Sequence, residues 1–245
     1  MKHLSNYGID APYVIKKLIA TGIFVSIFYS IVFYLLYIYY PNSNFLVVIF
    51  CTMFATPISM FATATLMLWS SKFGKLRQAD RLLNQIPWRG NEHVLDVGCG
   101  SGLLLNKAAK KLTLGGAAVG IDIWSKIDLS DNSAQVTINN ARIEGVLDRI
   151  KIVDGDAREL PFADASFDIV VSSLVVHNLA QKYNRESVMN EMIRVLKPGG
   201  YLLIQDIFYT KEYAIYLKTK NLSSVMMSSL QWLIFPPVRM VIAKK

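Results

Sequence analysis

The sequence predicts a doubly wound α/β domain preceded by two transmembrane helices, and three observations predict it. Residues 18–71 contain no Asp, Glu, Lys or Arg. From residue 91 onward, short apolar runs alternate with helical stretches, as in a parallel α/β sheet. Hydrophobic residues make up 53% of the 245 residues and charged residues 18%, which is too apolar for a soluble domain of this size.

These composition changes divide the chain into four segments. We predict a cytoplasmic N-terminal segment over 1–17, a two-helix transmembrane hairpin over 18–71, an amphipathic linker helix over 72–90 and the α/β domain over 91–245.

The first membrane helix is predicted over 18–40, because 23 residues at about 1.5 Å each cover roughly 35 Å, enough to cross a hydrocarbon core of about 30 Å. The second is predicted over 45–69, and Pro57 inside it is tolerated in a membrane. Residues 41–44 are predicted to form the turn. A cleaved signal peptide is the alternative, but the first run exceeds its usual length and no small-x-small site follows Tyr40.

Basic residues flank the hairpin on the same side, and the turn between its helices is uncharged. The positive-inside bias therefore predicts that both termini and the α/β domain face the cytoplasm. These residues are Lys16, Lys17, Lys72, Lys75, Arg77 and Arg81.

Small residues in the two helices are predicted to face each other, unless their hydroxyls bond to their own helix instead. The stripes are Gly22, Ser26 and Ser30 on the first helix, and Ala55, Ser59 and Thr63 on the second.

The linker has apolar residues at helical spacing among basic ones. Such a helix could lie at the level of the lipid headgroups or pack on the following domain, and the sequence leaves both open. The apolar positions are Phe73, Leu76, Leu83 and Ile86.

Charge and cysteine content exclude several protein classes. The net charge is +8, and residues 96–245 carry only +3 of it, so the basic excess lies beside the apolar segment. This distribution favours membrane phospholipid as a partner and argues against a nucleic-acid-binding face. Cys51 and Cys99 are the only cysteines, which excludes a disulfide framework and a multi-cysteine metal cluster and fits a reducing compartment. We predict no metal site.

The α/β domain is predicted to contain five strands in alternation with helices, then two antiparallel strands after a last helix. Helices are predicted over 103–112, 133–144, 185–196 and 212–220. Strands are predicted over 94–97, 117–121, 150–153, 167–172, 201–208, 225–233 and 238–243.

A glycine-rich loop follows the first strand, in the sequence Asp96-Val97-Gly98-Cys99-Gly100-Ser101-Gly102. Its spacing is G-x-G-x-G, with Leu103 where a dinucleotide fingerprint needs its third glycine. The Asp96 carboxylate would repel a pyrophosphate and attract a cation such as the ammonium and sulfonium groups of S-adenosylmethionine. A nicotinamide-dependent oxidoreductase is therefore disfavoured. Asp122 ends the second strand, where a carboxylate can accept both ribose hydroxyls.

With these motifs the sequence resembles the class I S-adenosylmethionine-dependent methyltransferases, particularly the small-molecule and lipid group that includes quinone and sterol methyltransferases. The resemblance covers about residues 88–245 and implies a Rossmann-like, seven-stranded methyltransferase sheet. Its motifs are VLDVGCGSG (94–102), GIDIW (120–124), GDARELPFADASFDIVVSS (155–173) and EMIRVLKPGGYLLIQD (191–206).

The resemblance implies that S-adenosyl-L-methionine is the cofactor and assigns parts of it to ten residues. The loop contacts the methionine part, Asp122 holds the ribose, Asp156 meets the adenine amino group with Ala157, Ile123 packs on the adenine, and Ser172 borders the methyl exit. Alternatives are that Asp96 caps the loop, that Asp156 is an ordinary turn carboxylate, and that neighbouring Trp124 is a packing residue. The ten are Asp96, Gly98, Cys99, Gly100, Gly102, Asp122, Ile123, Asp156, Ala157 and Ser172.

His177, just after the fourth strand, is the candidate catalytic residue, because an imidazole exchanges protons near neutral pH. A helix-packing or loop-capping role is the alternative. Members of the family often have a second histidine where this chain has Asn178.

The sequence thus predicts a membrane-anchored methyltransferase that moves a methyl group to a small, lipophilic acceptor by in-line displacement. A non-catalytic, membrane-bound module that senses the cofactor or binds another protein is the alternative. The reason to expect a lipophilic acceptor is physical, since the hairpin would hold the domain next to molecules that partition into the bilayer.

Overall fold

The computed structural model describes residues 5–41, 43–125, 129–130, 132–220 and 222–245. Its N-terminal part is an antiparallel pair of long helices, α1 (Pro12–Tyr39) and α2 (Phe45–Trp69). Helix α1 begins six residues earlier than predicted, since Pro12 suits the first turn of a helix. Asn42, in the predicted turn, lies outside the described residues. Both helices are long and apolar enough to cross a membrane, and most of their surface is not covered by protein.

Aromatic side chains join α1 and α2. The rings of Phe33 and Phe50 lie 5.3 Å apart and those of Tyr29 and Phe54 lie 6.5 Å apart, both nearly edge-on. Such pairs are a favourable arrangement of the ring quadrupoles.

The predicted pairing of small residues is wrong. Ala55 and Ser59 are exposed, and the hydroxyl of Ser26 donates to the carbonyl of Gly22 on its own helix, 2.8 Å away. Gly22 meets the partner helix closely at an aromatic residue, because a Cβ there would lie 3.0 Å from the ring of Phe61. Larger aromatic side chains therefore set the spacing of the helices.

The linker continues α2 through a π-helical turn at Ser70–Gly74 into α3 (Lys75–Leu83). Leu82 and Leu83 are fully buried and join the same hydrophobic core as the α/β domain. Of the two alternatives for this helix, the structure shows packing on the domain, while Phe73 remains exposed.

The α/β domain is a seven-stranded sheet in the order β3-β2-β1-β4-β5-β7-β6. The pairs among β1 to β5 are parallel, and β7 is antiparallel to both of its neighbours. The strands are β1 (His93–Val97), β2 (Ala117–Asp122), β3 (Ile150–Asp154), β4 (Phe167–Ser173), β5 (Leu196–Asp206), β6 (Ser223–Met227) and β7 (Arg239–Lys244). The helices are α4 (Leu103–Lys111), α5 (Ala134–Glu144), α6 (Lys182–Val195) and α7 (Thr210–Thr219).

Helices cover both faces of the sheet, so the prediction of a doubly wound, Rossmann-like fold is confirmed. Leu105 of α4 and Leu83 of α3 belong to the core on one face. Met189 of α6 and Tyr213 of α7 belong to the core on the other. Burial on both faces explains why the central strands read as continuous apolar runs.

Two strand boundaries differ from the prediction by more than two residues. β5 already begins at Leu196, because the irregular stretch up to Gly200 still pairs with neighbouring strands, and Gly199 donates to the carbonyl of Lys245 at 2.7 Å. β6 ends at Met227, and beyond it the continuous pairing gives way to isolated bonds from Ser228 to Met240 and between Gln231 and Val238. Phe235 then donates its backbone N–H to Ser70 Oγ at the base of the hairpin, 2.9 Å away.

Candidate functional site

A cavity of about 500 Å³ opens at the carboxyl ends of β1 to β5. The strand order reverses between β1 and β4, and ligands of open α/β sheets bind at such a switch point. Its lining includes the predicted residues Asp96, Gly98, Cys99, Gly100, Asp122, Ile123, Asp156, Ala157 and His177.

The glycine loop after β1 is fastened to the end of β2. The backbone N–H groups of Gly98 and Cys99 both donate to the carbonyl of Ile121, at 2.8 and 3.1 Å. Gly98 has a φ of 74°, and a Cβ there would lie 2.3 Å from Val175 Cγ2. Any larger residue at this position would displace the loop that follows β4, so only glycine fits.

Gly102 and Ser172 do not line the cavity. Gly102 takes a left-handed conformation before α4, and a Cβ there would lie 2.6 Å from Thr137 Cγ2, which gives it a turn-forming role. Ser172 is buried and donates to the carbonyl of Val97, 2.9 Å away. The next residue, Ser173, lines the cavity instead, because successive side chains of a strand point to opposite faces.

Asp122 connects the ends of the loop and of β2. Its carboxylate accepts hydrogen bonds from the backbone N–H of Gly100 at 2.8 Å and of Trp124 at 2.6 Å. Asn132 Nδ2 adds a longer bond of 3.3 Å. The Trp124 indole turns away to donate to Asp154, which agrees with the packing alternative for this residue.

Asp96 is a buried carboxyl group with one oxygen left without a hydrogen bond among the described residues. It is 2% exposed, and its Oδ2 has no hydrogen-bond partner in the described part of the chain. Burial and the nearby charge of Asp122 raise the pKa of Asp96 to about 8. A buried polar atom left without a partner costs free energy, which a cation in the cavity would recover.

The far end of the cavity is more open. Ile123 is 66% exposed and lines the cavity, as do Gly155 and Ala157. Asp156 is bound by Arg158, whose Nε lies 3.0 Å from both carboxylate oxygens, and this guanidinium lowers the pKa of Asp156. The carboxylate is ionised and reaches the cavity.

His177 forms a pair with a buried carboxylate that the sequence analysis did not single out. Its Nδ1 lies against Asp206, which is fully buried, and its backbone N–H donates to the same carboxylate at 2.9 Å. Tyr213 also donates its hydroxyl to Asp206, at 3.3 Å. Asp206 ends β5 and so is the last residue of a quoted motif, at the sheet edge where functional side chains are expected.

A segment ahead of α1 forms part of the cavity wall. We call residues 5–11 the N-terminal strap. Tyr7 is buried, and its carbonyl accepts bonds from Ser101 Oγ at 3.0 Å and Lys75 Nζ at 2.7 Å. The Tyr7 hydroxyl donates to Glu144 at 3.0 Å. The strap therefore lies across the glycine loop and α5.

Lys75 secures the strap from the linker helix. Its Nζ also contacts the carbonyl of Gly8 and Asp10 Oδ1, both at 3.0 Å, while Ser71 Oγ donates to Asp10 Oδ2 at 3.1 Å. Burial lowers the pKa of Lys75. Lys75 is the one lysine or arginine among the described residues that line the cavity, and the sequence analysis had counted it only as a flanking charge.

No group of three or more His, Cys, Asp or Glu side chains is placed to hold a metal ion within the described ranges.

The α/β domain is similar in sequence to known methyltransferases. Residues 95–204 match the family model described as a methyltransferase domain. The sterol 4-C-methyltransferase strm-1 of Caenorhabditis elegans is 33% identical over 123 residues, which are 50% of this chain and 33% of that protein. The 27-O-demethylrifamycin SV methyltransferase of Amycolatopsis mediterranei is 31% identical, over 56% of this chain and 48% of its own. The chain thus spans between a third and a half of these relatives.

Solved structures share the fold at low identity. A SAM-dependent methyltransferase from Aquifex aeolicus superimposes with a TM-score of 0.53 at 17% identity, over 69% of this chain and 96% of that one. Geranyl diphosphate C-methyltransferase from Streptomyces coelicolor gives 0.55 at 14% identity, over 69% and 75%. Residues 95–204 thus match a methyltransferase domain, and the α/β domain has the fold of solved methyltransferases.

Proposed function

We propose that this protein is a membrane-anchored methyltransferase that transfers the methyl group of S-adenosylmethionine to a small, lipophilic acceptor on the cytoplasmic side of a membrane. The observation that carries the proposal is the buried Asp96 carboxyl group, whose Oδ2 has no hydrogen-bond partner among the described residues, beside a glycine loop that excludes side chains.

The residues present fit this cofactor. Asp96, once ionised, offers a negative charge to the ammonium group, and the backbone of Gly98, which lines the cavity, offers a surface without a side chain to the methionine part. Asp122 sits where it can take the ribose hydroxyls, although it would exchange or share its present bonds to Gly100 and Trp124. Asp156, Ala157 and Ile123 line the end that suits the adenine. Ser173 takes the place at the methyl exit that the sequence analysis gave to Ser172.

When bound, the cofactor supplies an electrophilic methyl group, so the protein has to position the acceptor, exclude water and, for an acidic acceptor, remove a proton. His177 lines the cavity and is the candidate base. Asp206 lies against Nδ1 of the ring, so Nε2 is the nitrogen that we expect to accept a proton, and the carboxylate would stabilise the charge that results. Tyr213 fixes the Asp206 carboxylate in turn.

The membrane location is supported by the two long apolar helices and by the positions of their basic flanks. The strap bears on the signal-peptide alternative. Cleavage after the first helix would remove Tyr7 and Asp10 from the cavity wall and leave Lys75 buried without its partners. We infer that both helices stay with the domain and that the domain faces the cytoplasm.

A lipophilic acceptor is supported by the apolar part of the cavity and by the relatives named for sterol and quinone substrates. The ubiquinone/menaquinone biosynthesis C-methyltransferase of Idiomarina loihiensis, for example, is 32% identical over 45% of this chain and 41% of its own.

Two measurements test the proposal. Calorimetry on the detergent-purified full chain should show binding of S-adenosylhomocysteine that weakens roughly 10- to 100-fold in Asp122→Ala, because two charge-assisted hydrogen bonds are lost, with NADH as the control ligand. Radiolabel from S-adenosylmethionine should then enter a membrane-lipid extract. Binding without transfer to lipid or cytosolic extracts would favour the sensing module. Transfer only to the cytosolic extract would refute the lipophilic acceptor.

A further inference from the structure

The cavity has an apolar mouth beside the base of the hairpin. We call this mouth the interfacial opening. It is lined by Ala11, Tyr13, Val14 and Ile234. Tyr13 is 69% exposed and Val14 45% exposed, so the cavity communicates with the outside next to the first turn of α1.

Helix α1 fixes the height of this opening relative to the uncharged segments. The uncharged run begins at Leu18, only four residues after Val14, which is about 6 Å along a helix. Each headgroup layer of a bilayer is about 5–7 Å thick outside the hydrocarbon core. Val14 therefore falls within the headgroup layer if α1 crosses the membrane.

Ile234, on the other side of the opening, lies at the same height relative to the uncharged segments, and a separate set of contacts shows this. Ile234 is next to Phe235, whose backbone N–H bonds to Ser70 Oγ at 2.9 Å. The uncharged run of α2 ends at Ser71. The Phe235 side chain packs with Ile15, Ala64 and Met67, a cluster that joins both helices at the ends nearest the domain.

The opening is also surrounded by groups that suit an interface of anionic lipid. Lys16 and Lys17 are exposed one turn above Tyr13, and Trp232 is 67% exposed two residues before Ile234. Tryptophan and lysine side chains both favour the headgroup region.

We propose that the acceptor is an amphipathic lipid that enters the cavity sideways from the bilayer through the interfacial opening. Its reactive head passes between Val14 and Ile234 toward His177 while its apolar chain stays among the lipids. The inference rests on the proposed function and adds the route and the shape of the substrate. An acceptor of this kind does not have to leave the membrane, so no free energy is spent on exposing its chain to water.

The test uses the full chain in nanodiscs of phosphatidylcholine and phosphatidylglycerol, with the photoreactive residue p-benzoylphenylalanine in place of Ile234. The control carries the same probe in place of Leu114, which is 70% exposed and lies just before β2, at the opposite edge of the sheet. We expect phospholipid adducts by mass spectrometry at position 234 and none above background at 114. Adding Val14→Trp should reduce the adducts at position 234 by about tenfold, because the larger side chain fills the opening.

A second arm follows the acceptor. Transfer of label to the membrane-lipid extract should fall at least about tenfold in Val14→Trp and stay unchanged in Ile19→Trp, which is on the same helix but off the cavity. Both variants should bind S-adenosylhomocysteine as the wild type does, which excludes misfolding. Equal adducts at 234 and 114, or equal transfer by both tryptophan variants, would overturn the proposal.

The two arms separate this proposal from the proposed function. Crosslinking needs no methylated product, so it decides the position of the opening even if no extract accepts a methyl group. Transfer by the wild type without lipid adducts at 234 would keep the methyltransferase and reject the lateral route.

Discussion

Cofactor binding should release a proton from Asp96. Burial and Asp122 raise the pKa of this carboxyl to about 8 in the protein without ligand. At pH 7 roughly nine-tenths of the molecules then carry a proton on Asp96, and an ammonium group binds best to the ionised form. We therefore expect release of about 0.9 proton per cofactor at pH 7, and a dissociation constant that falls roughly 50-fold between pH 6 and pH 8 before levelling off.

The assay is calorimetric titration with S-adenosylhomocysteine in phosphate and in Tris, whose different heats of ionisation report the protons released. Asp96→Asn is the matched control, since the amine of the ligand titrates identically with both proteins. The variant should lose most of the proton release and bind about 10- to 100-fold more weakly at pH 8.5, where the wild type is mostly ionised. Equal proton release by the two proteins would refute the role given to Asp96.

Asp96→Asn, which should weaken cofactor binding, should raise the free energy of unfolding of the protein without ligand at high pH. The folded protein retains a proton on Asp96 that the unfolded chain gives up near its ordinary pKa of 3.8. Stability from this group is therefore present below about pH 4 and is lost as the pH rises through 8, by up to several kcal/mol. Unfolding by denaturant in the absence of ligand should show Asp96→Asn to be more stable than the wild type at pH 9.

Three further predictions concern other parts of the site. Gly98→Ala should abolish measurable binding of S-adenosylhomocysteine, because its Cβ would meet Val175 at 2.3 Å and its φ is 74°; binding within threefold of the wild type would contradict this. Asp206→Asn should lower kcat about 100-fold with cofactor affinity retained, and a flatter pH–rate profile would separate loss of a base from simple misplacement. Lys75→Met should lower the free energy of unfolding by about 2–4 kcal/mol and make the strap more accessible to proteolysis, because it leaves the Asp10 carboxylate without its ammonium partner. The control is Lys72→Met: Lys72 is exposed, so this substitution should change the free energy of unfolding by less than about 0.5 kcal/mol.

The local pattern of the sequence was enough for the sheet and the glycine loop. Alternation of apolar runs with helices predicted every strand, and the strand ends carrying Gly98, Asp122 and Asp156 meet at one edge because the strands are parallel. Which residues of a strand face the cavity is harder to predict, since a shift of one residue reverses the direction of a side chain. The prediction of Ser172 at the cavity is wrong by one residue, because Ser173 faces it instead.

Contacts between distant segments could not be predicted in this way. The pair of His177 and Asp206 joins residues 29 apart, and Lys75 meets Tyr7 across 68 residues. No periodicity encodes such pairs, because they depend on how whole elements pack. A carboxylate at the end of β5 was the one available signal for Asp206, and a lysine among the apolar positions of an amphipathic helix was the one for Lys75.

The strap has a consequence for how this protein can be handled. The ordinary way to obtain a soluble sample from an anchored enzyme is to cut the chain after its last apolar helix. Here that cut would remove Tyr7 and Asp10 from the cavity wall and uncover the glycine loop at Ser101. A fragment of this kind would measure the affinity of an incomplete pocket, so the apolar helices and the domain are best treated as a single cooperative unit.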